Sequence, residues 1–495
     1  MSLKRSGLVL AGLLIIALVV MVAPVSATTW TVNPGDSIQH TVDGISNGDI
    51  INFNPGVYYL HGIKFSKDVI IKANTSAGGS QLNTIIDAQY SGGIFDVSGT
   101  NSLTIDNLTF KNGFADTFGG AIFSFGSVTI TSSTFTGCSA KYDGGAIKAG
   151  TITVTSSTFT GCSVSEAGGA IYAGTGTVTS STFTGCTAEY GNAIQTHSVT
   201  SGGAISSSGP ITVTSSTFAS CTAEDGGAIS GPVTVTSSTF TGCSAKHDGG
   251  VISSSGPITV TSSTFTGCSA GYGGAISFKQ DCTIKHSRFI NCSSVALFGK
   301  GGVIYTEVGT LTIDDSLFSG SGWTNEGGAI YTGSGGTIHN SAFSNCPAGY
   351  GGAIDSFGDQ PLTVSGSSFI NCSATGHSNS AGGAIYAKDP LTVTNSTFDD
   401  CMAYPDGGAI YSERDTTIDN AKFYLVLAEY GDGGGVYTEK MLNISNSEFH
   451  ECLATYSSSS AIYAKGMFTI DPATSSHLNQ CTIYFNGKPY SPPGT

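Results

Sequence analysis

One pattern repeats from about residue 103 to 463, and few folds accommodate it. Each copy reads Ile/Val-x-Ile/Val-x-Ser/Asn-x-x-Phe-x-x-Cys and is followed by Gly-Gly-Ala-Ile. Ile152 to Cys162 and Val233 to Cys243 are copies of the first part, Gly144 to Ile147 and Gly407 to Ile410 of the second. The Phe recurs at 110, 135, 159, 183, 218, 240, 265, 289, 318, 343, 369, 398, 423 and 449, and most spacings are 22 to 29 residues. A unit of that size cannot bury a core alone and must stack on its neighbours.

The pattern selects the fold. Val-Thr-Val-Thr alternates with period two and is β-branched, the signature of a half-buried strand. The two aliphatic positions share one parity and the Phe has the other, so the chain must turn a corner at Ser-Ser or Asn-Ser. Gly-Gly opens a further strand whose Ile faces inward, and Gly, Ser and Asp fill the remaining corner. Three short strands and three corners per turn predict an all-β, right-handed parallel β-helix of about fourteen coils, on the order of 65–70 Å long plus caps. A leucine-rich repeat needs several fixed Leu per unit, and most copies contain none. Helical i, i+3, i+4 periodicity is absent.

Composition narrows the function. The formal charge is −15, and Arg5, Arg288 and Arg414 are the only arginines. Nucleic-acid binding, which needs clustered basic residues, is excluded. Aromatics at 10% and a mean hydropathy of +0.12 argue against disorder. The 69 Gly do not fall at every third position, so collagen is excluded.

Residues 1–27 read as a signal peptide. Lys4 and Arg5 precede an apolar run from Leu8 to Val22, and Val25-Ser26-Ala27 is a small-residue cleavage site. Cleavage leaves no integral membrane segment. Residues 28–100 read as an N-terminal cap with the first strands, including a capping helix begun by Asp36. The repetitive β-helix spans 101–463, and 464–495 close the other end, since an open sheet edge must be covered.

Gly-Gly-Ala-Ile alternating with a Phe-x-x-Asn-type motif resembles the repeats of chlamydial-type polymorphic outer-membrane proteins and of adhesin-like β-helix proteins secreted by methanogenic archaea. Gly35 to Leu60, with Ile38-Gln39, Gly48-Asp49-Ile50 and Pro55-Gly56-Val57-Tyr58, is similar to the N-terminal cap of pectate-lyase-like folds. In this chain the Asn of the motif is Cys. A cysteine-rich, exported β-repeat also resembles, in character rather than by motif, the tubular sheath proteins of filamentous methanogens. The resemblance implies a secreted or cell-surface protein of the extracellular envelope and says little about activity.

Cys138, Cys162, Cys186, Cys221, Cys243, Cys268, Cys292, Cys346, Cys372, Cys401 and Cys452 occupy that one position; Cys282 and Cys481 each begin a Cys-Thr-Ile and are read as inward strand residues. Coils stack at about 4.8 Å, and a disulfide wants its Cβ atoms at about 3.8 Å. Bridges between coils and a buried column of thiols packing as small hydrophobes therefore both remain open. No Cys-x-x-Cys occurs, so no metal site or cofactor is expected.

The residue after Gly-Gly-Ala-Ile is expected to face outward. Tyr305, Tyr331, Tyr386, Tyr411, Tyr437 and Tyr463 form a stripe there, interrupted by Asp355, and offer a contact face for another subunit or a surface glycan. Self-stacking on an exposed strand is the plainer reading of the same stripe. Asp225/Asp248 and Asp406/Asp432 place acids on adjacent coils, where solvated turn residues are favoured over Ca²⁺ ligands. A duplicated Gly191-Asn192-Ala193-Ile194 predicts a loop over 195–201 containing His197. Of six sequons, Asn74 in the cap is the best glycosylation candidate.

Asp314-Asp315 and Asp399-Asp400, the two Asp pairs, lie at different coil positions without a basic partner nearby in sequence. No catalytic residue is assigned on this basis. The expectation is a non-enzymatic envelope protein that self-assembles into a sheath or surface layer. An adhesin or glycan-binding rod is the alternative, and a polysaccharide lyase or hydrolase comes third.

Overall fold

The computed structural model describes residues 27–189, 202–376, 378–455, 460–479 and 481–490. All but the last residue of the 1–27 signal-peptide reading, the duplicated Gly-Asn-Ala-Ile, the loop with His197 and the last five residues lie outside them.

The described chain winds into a parallel β-helix. In one coil, Ser127–Thr131 buries Val128 and Ile130 and turns outward between them. Ser132 makes the corner with φ +47°. Thr134–Thr136 buries Phe135, Gly137 turns again with φ +61°, and Cys138 and Ala140 face inward. The next coil repeats this in strict parallel register: Val128 opposite Ile152, Phe135 opposite Phe159, Ser139 opposite Ser163.

Two features differ from the sequence expectation. Each turn has four short stretches, because the Ile strand after Gly-Gly-Ala and the Val-Thr strand share one wide face. In Ile147–Thr155 and Ile171–Thr179 they fuse into single strands of nine residues. The solenoid also has about eighteen turns rather than fourteen. The extra turns lie where the repeat motif is degenerate. Thr29–Val32, Asp49–Phe53 and Val69–Ala73 already stack in parallel beneath Leu103–Asp106, and Phe468–Ile470 adds one beyond the last motif.

Three columns hold the coils together. Phe rings from Phe110 to Phe449 stack with centroids 4.5–5.0 Å apart and planes within 16°. That spacing is the interstrand repeat, so the rings inherit it from the backbone. At the first corner a buried serine in every repeat coil from Ser133 to Ser447 except that of Ala421 offers Oγ to the backbone N–H of its counterpart one coil earlier. Ser133 N–H donates to Ser157 Oγ at 3.1 Å, Ser157 to Ser181 at 3.1 Å, and the ladder continues. Each hydroxyl in turn donates to the carbonyl two residues before it, as Ser157 does to Thr155 at 2.8 Å. The third column is Gly-Gly. Gly144 has φ +66°, and a Cβ on Gly145 would sit 2.1 Å from the carbonyl oxygen of Gly169. The first glycine is demanded by conformation and the second by close approach.

The ends are covered. Ile38–Gly44 is a short helix that buries Ile38 and Val42. Its N-cap residue is Ser37, not Asp36; the Asp36 carboxylate instead accepts from Asn33 N–H at 2.7 Å. At the other end Pro472–Ser476 forms a helix capped by Asp471, which accepts from Thr474 N–H at 2.9 Å. Lys488–Tyr490 then turns back antiparallel on Thr482–Phe485. No helix among the described residues is long and apolar enough to cross a membrane.

Candidate functional site

The Tyr stripe runs along the wide face. Tyr305, Tyr331, Asp355, Tyr386, Tyr411, Tyr437 and Tyr463 are in direct register on successive coils. The rings lie flat on one another: Tyr386 to Tyr411 at 5.2 Å, Tyr411 to Tyr437 at 4.8 Å, Tyr437 to Tyr463 at 5.1 Å. Stacking covers their faces, so Tyr331, Tyr386 and Tyr437 are buried and the others half-buried. The Tyr rings therefore form a closed stack rather than an open face, because identical flat side chains at the coil repeat satisfy one another. Their hydroxyls point to a row of acids. Tyr305 donates to Glu307 at 2.7 Å, Tyr386 to Glu413 at 2.6 Å and Tyr437 to Glu439 at 3.1 Å. Burial, helped by Glu413, pushes the Tyr386 phenol up.

The stack breaks at Asp355, and the missing ring leaves an open groove of about 460 Å³. Asp355, Tyr386 and Tyr411 line it between two rims. One rim is the connection before Gly-Gly, where Ser380–Ala381 pairs with Pro405–Asp406 and Tyr350 leans on Tyr386 at 5.3 Å. The other is the mid-face turn, which carries Phe357, Lys388 and Glu413. Lys388 Nζ lies 4.1 Å above the Phe357 ring and 3.7 Å from Glu413 Oε1. A second depression of about 450 Å³ adjoins the first and shares Phe357, Lys388 and Glu413. It adds Asp359, Arg414 and Lys440.

Asp355 is the unusual residue. It is 1% exposed, and its Oδ1 has no hydrogen-bond partner. Burial first, and the Glu326 charge next, push its carboxyl well above the usual carboxylate range. A protonated carboxyl in the floor of a groove is a hydrogen-bond donor for a ligand oxygen. The sequence signal was its place in the Tyr stripe. Lys388, Arg414 and Lys440 carry no motif, and only coil stacking brings them together.

The other sequence candidates fall elsewhere. All thirteen cysteines carry thiols rather than disulfides, and every one but Cys481 is buried. Cys282 replaces a strand aliphatic, opposite Ile258, as expected. Cys481 does not. Phe449 pairs with Leu478, so Cys481 stands over Cys452 and continues the ladder, with Leu478-x-x-Cys481 in place of Phe-x-x-Cys. Its Sγ lies 3.8 Å from Phe449 O, the contact that Cys162 makes with Phe135 O. Reading Cys-Thr-Ile as one strand failed because the corner falls between Cys481 and Thr482.

Asn74 is half-buried, and its Nδ2 donates to Asn54 Oδ1 at 2.7 Å, so the glycosylation candidate is engaged in a cap contact. The paired turn acids are not simply solvated: Asp225 accepts Asp248 N–H at 3.1 Å and Asp406 accepts Asp432 N–H at 2.8 Å. Asp315 pairs with His286 at 2.9 Å on the exposed surface. Among the described residues no group of three or more His, Cys, Asp or Glu is arranged to hold a metal ion.

A family model described as a right-handed β-helix region matches residues 223–398. No curated protein matches the chain. Solved structures similar to it include an alginate lyase of family PL6 in complex with a trisaccharide, 15% identical, with a TM-score of 0.38 and 79% of this chain and 85% of that chain covered. The PL6 alginate lyase AlyGC is 10% identical, with a TM-score of 0.33 and coverage of 90% and 93%. A mannuronic-acid-specific family 6 lyase from human gut microbiota is 10% identical, with a TM-score of 0.30 and coverage of 90% and 91%. Identities and scores this low transfer no residue role to this chain. The expectation of a non-enzymatic sheath or surface-layer protein finds no positive support in these comparisons and is not carried forward. By fold, the chain is a right-handed parallel β-helix protein.

Proposed function

We propose that the protein binds a uronate-containing polysaccharide along the groove at Asp355 and cleaves it by β-elimination. The observation that carries this reading is the buried Asp355 carboxyl, its Oδ1 without a hydrogen-bond partner, in the same open groove as Lys388. Three of the chain's 19 basic residues, Lys388, Arg414 and Lys440, line the adjoining depression. Asp359 and Glu413 share that depression and pair with Arg414 and Lys388, which leaves one net positive charge there on a chain of formal charge −15 and suits an acidic ligand. Tyr386, Tyr411 and Phe357 supply aromatic edges and faces for sugar rings.

In β-elimination a base removes the proton α to the uronate carboxylate. The C–O bond to the leaving sugar breaks, a C=C bond forms, and the leaving oxygen takes a proton. The rate depends on stabilising the charge that builds on the carboxylate. Lys388 and Arg414 are placed to neutralise it, and a protonated Asp355 is able to donate a hydrogen bond.

The test is incubation with polyuronates and with a neutral glucan, following the ultraviolet absorbance of the unsaturated product. Uronate polymers alone should yield product, and Lys388→Ala should lower kcat/KM by about 100-fold or more. Binding without product would favour the glycan-binding alternative, for which the engagement of Lys388 by Glu413 speaks. Neither binding nor product would overturn the reading.

A further inference from the structure

The ladder of thiols is stacked in blocks of seven, three and two, separated by Ser321 and Val426. The last block is Cys452 and Cys481, and it differs from the others in three ways. Among the described residues it terminates the column: Leu478–Asn479 pairs with Phe449–His450 of the coil before it and with no later strand. Cys481 is the one cysteine that is not buried. Its coil is held lightly, since Leu478–Asn479 is a two-residue strand.

Geometry decides which thiols can join. In-register side chains stand a coil repeat apart, as the neighbouring Phe423 and Phe449 rings do at 4.5 Å. A disulfide draws Cβ atoms to about 3.8 Å. Inside the column each cysteine is pinned from both sides. Cys162 O accepts Thr187 N–H at 3.0 Å, while Ser163 N–H donates to Cys138 O at 3.0 Å. Closing one interior pair would open the ladder on its far side and disturb the Phe stack. The terminal coil can move without that penalty. Cys481 Sγ already lies 3.8 Å from Cys452 O.

We propose that Cys452 and Cys481 form a disulfide that staples the C-terminal cap to the last full coil, while the interior column stays reduced. Exchange needs an accessible thiolate. The neighbouring Cys452 thiol lowers Cys481 to about 7, and Cys481 alone among the thirteen is not buried, so it is the thiol an external disulfide can reach. The oxidant is a small-molecule or protein disulfide. The Cys481 thiolate attacks it, expelling one thiolate and leaving a mixed disulfide on Cys481. Cys452, losing its proton, attacks that sulfur and expels the second thiolate. One S–S bond forms between the two cysteines, the S–S bond of the incoming disulfide breaks as it gains two electrons, and the two cysteine protons pass to its expelled thiolates to give two thiols. The closed segment carries the capping helix Pro472–Ser476, so the bond holds shut the edge that would otherwise be the solenoid's exposed end.

The experiment equilibrates the full chain with oxidised and reduced glutathione, then blocks thiols and maps peptides by mass. The expected product has lost two hydrogens in mass and carries one bond, Cys452 to Cys481. The eleven remaining thiols should alkylate only after denaturation. Oxidation should raise Tm in the wild type and leave Cys481→Ser unchanged. Cys452→Ser should instead retain glutathione on Cys481, because the resolving thiol is gone. That variant keeps the test decisive if Cys481→Ser folds poorly. A bond inside the interior column, or persistence of the glutathione adduct on wild-type Cys481, would overturn the proposal, as would a chain that stays fully reduced.

Discussion

At Asp248 a single carboxylate couples the fold to pH. Burial first, and the neighbouring Asp225 charge next, raise it to about 6. A raised carboxyl pKa means the folded state holds the proton more tightly than the unfolded one. Its stabilisation is complete below the ordinary carboxylate range and is lost as pH rises through about 6. Asp248→Asn should therefore flatten the fall in Tm between pH 4 and 7, with at most about 2 kcal/mol at stake because the group is partly exposed. An unchanged pH profile in the variant would refute that assignment. Single residues also show where sequence reading stops. The Asp in the Tyr stripe was visible as an interruption. That it is buried, with Oδ1 unpartnered, depends on its place between Tyr331 and Tyr386 of the adjacent coils. Cys481 was misplaced because a corner is a backbone event, and Cys-Thr-Ile reads equally well on either side of one.

At the scale of elements, the strands are too short to be stable alone, and the corner ladders supply the register. Ser238→Ala would leave the buried Ser216 N–H, now 3.1 Å from Ser238 Oγ, without its acceptor. Chemical denaturation should show a loss of about 1–3 kcal/mol. The chain holds its own control at Ala421, where every other coil from Ser133 to Ser447 has serine. Ala421→Ser offers Ser396 the missing oxygen and should gain roughly 0.5–1.5 kcal/mol. Phe240→Ala, in the middle of the ring stack, should cost about 3–5 kcal/mol, because its neighbours on both sides lose a face. The strands and the Ser-Ser corner were legible because β-branched alternation and a parity change are local properties. The division of the wide face into two strands was not, since Gly150 and Gly174 allow continuation where other coils turn.

Over the whole molecule the solenoid is nearly one-dimensional, and each coil depends on its neighbours. Its weak points are the ends. Deleting residues 464–495 would bare the backbone of Leu442–Ser445 and the ring of Phe449. Light scattering should show the truncated chain associating at concentrations where the full chain does not, because an unpaired parallel edge accepts another strand. If the two scatter alike, the C-terminal segment is not an edge cover. The length of the rod was underestimated from sequence because the first coils lack the Gly-Gly-Ala-Ile signature while keeping its hydrogen bonds.

The sequence by itself determined that this chain coils, which residues face inward, and where most corners fall, because period, parity and glycine demand act within one repeat. The tertiary structure alone decided what the outer surface does. Residues a coil apart in space mostly lie 22 to 29 apart in the chain, and nothing local records which of them become neighbours. Stacking turned a Tyr stripe into a closed pile, gave Asp355 its burial, brought Lys388, Arg414 and Lys440 to one groove and set Cys481 above Cys452.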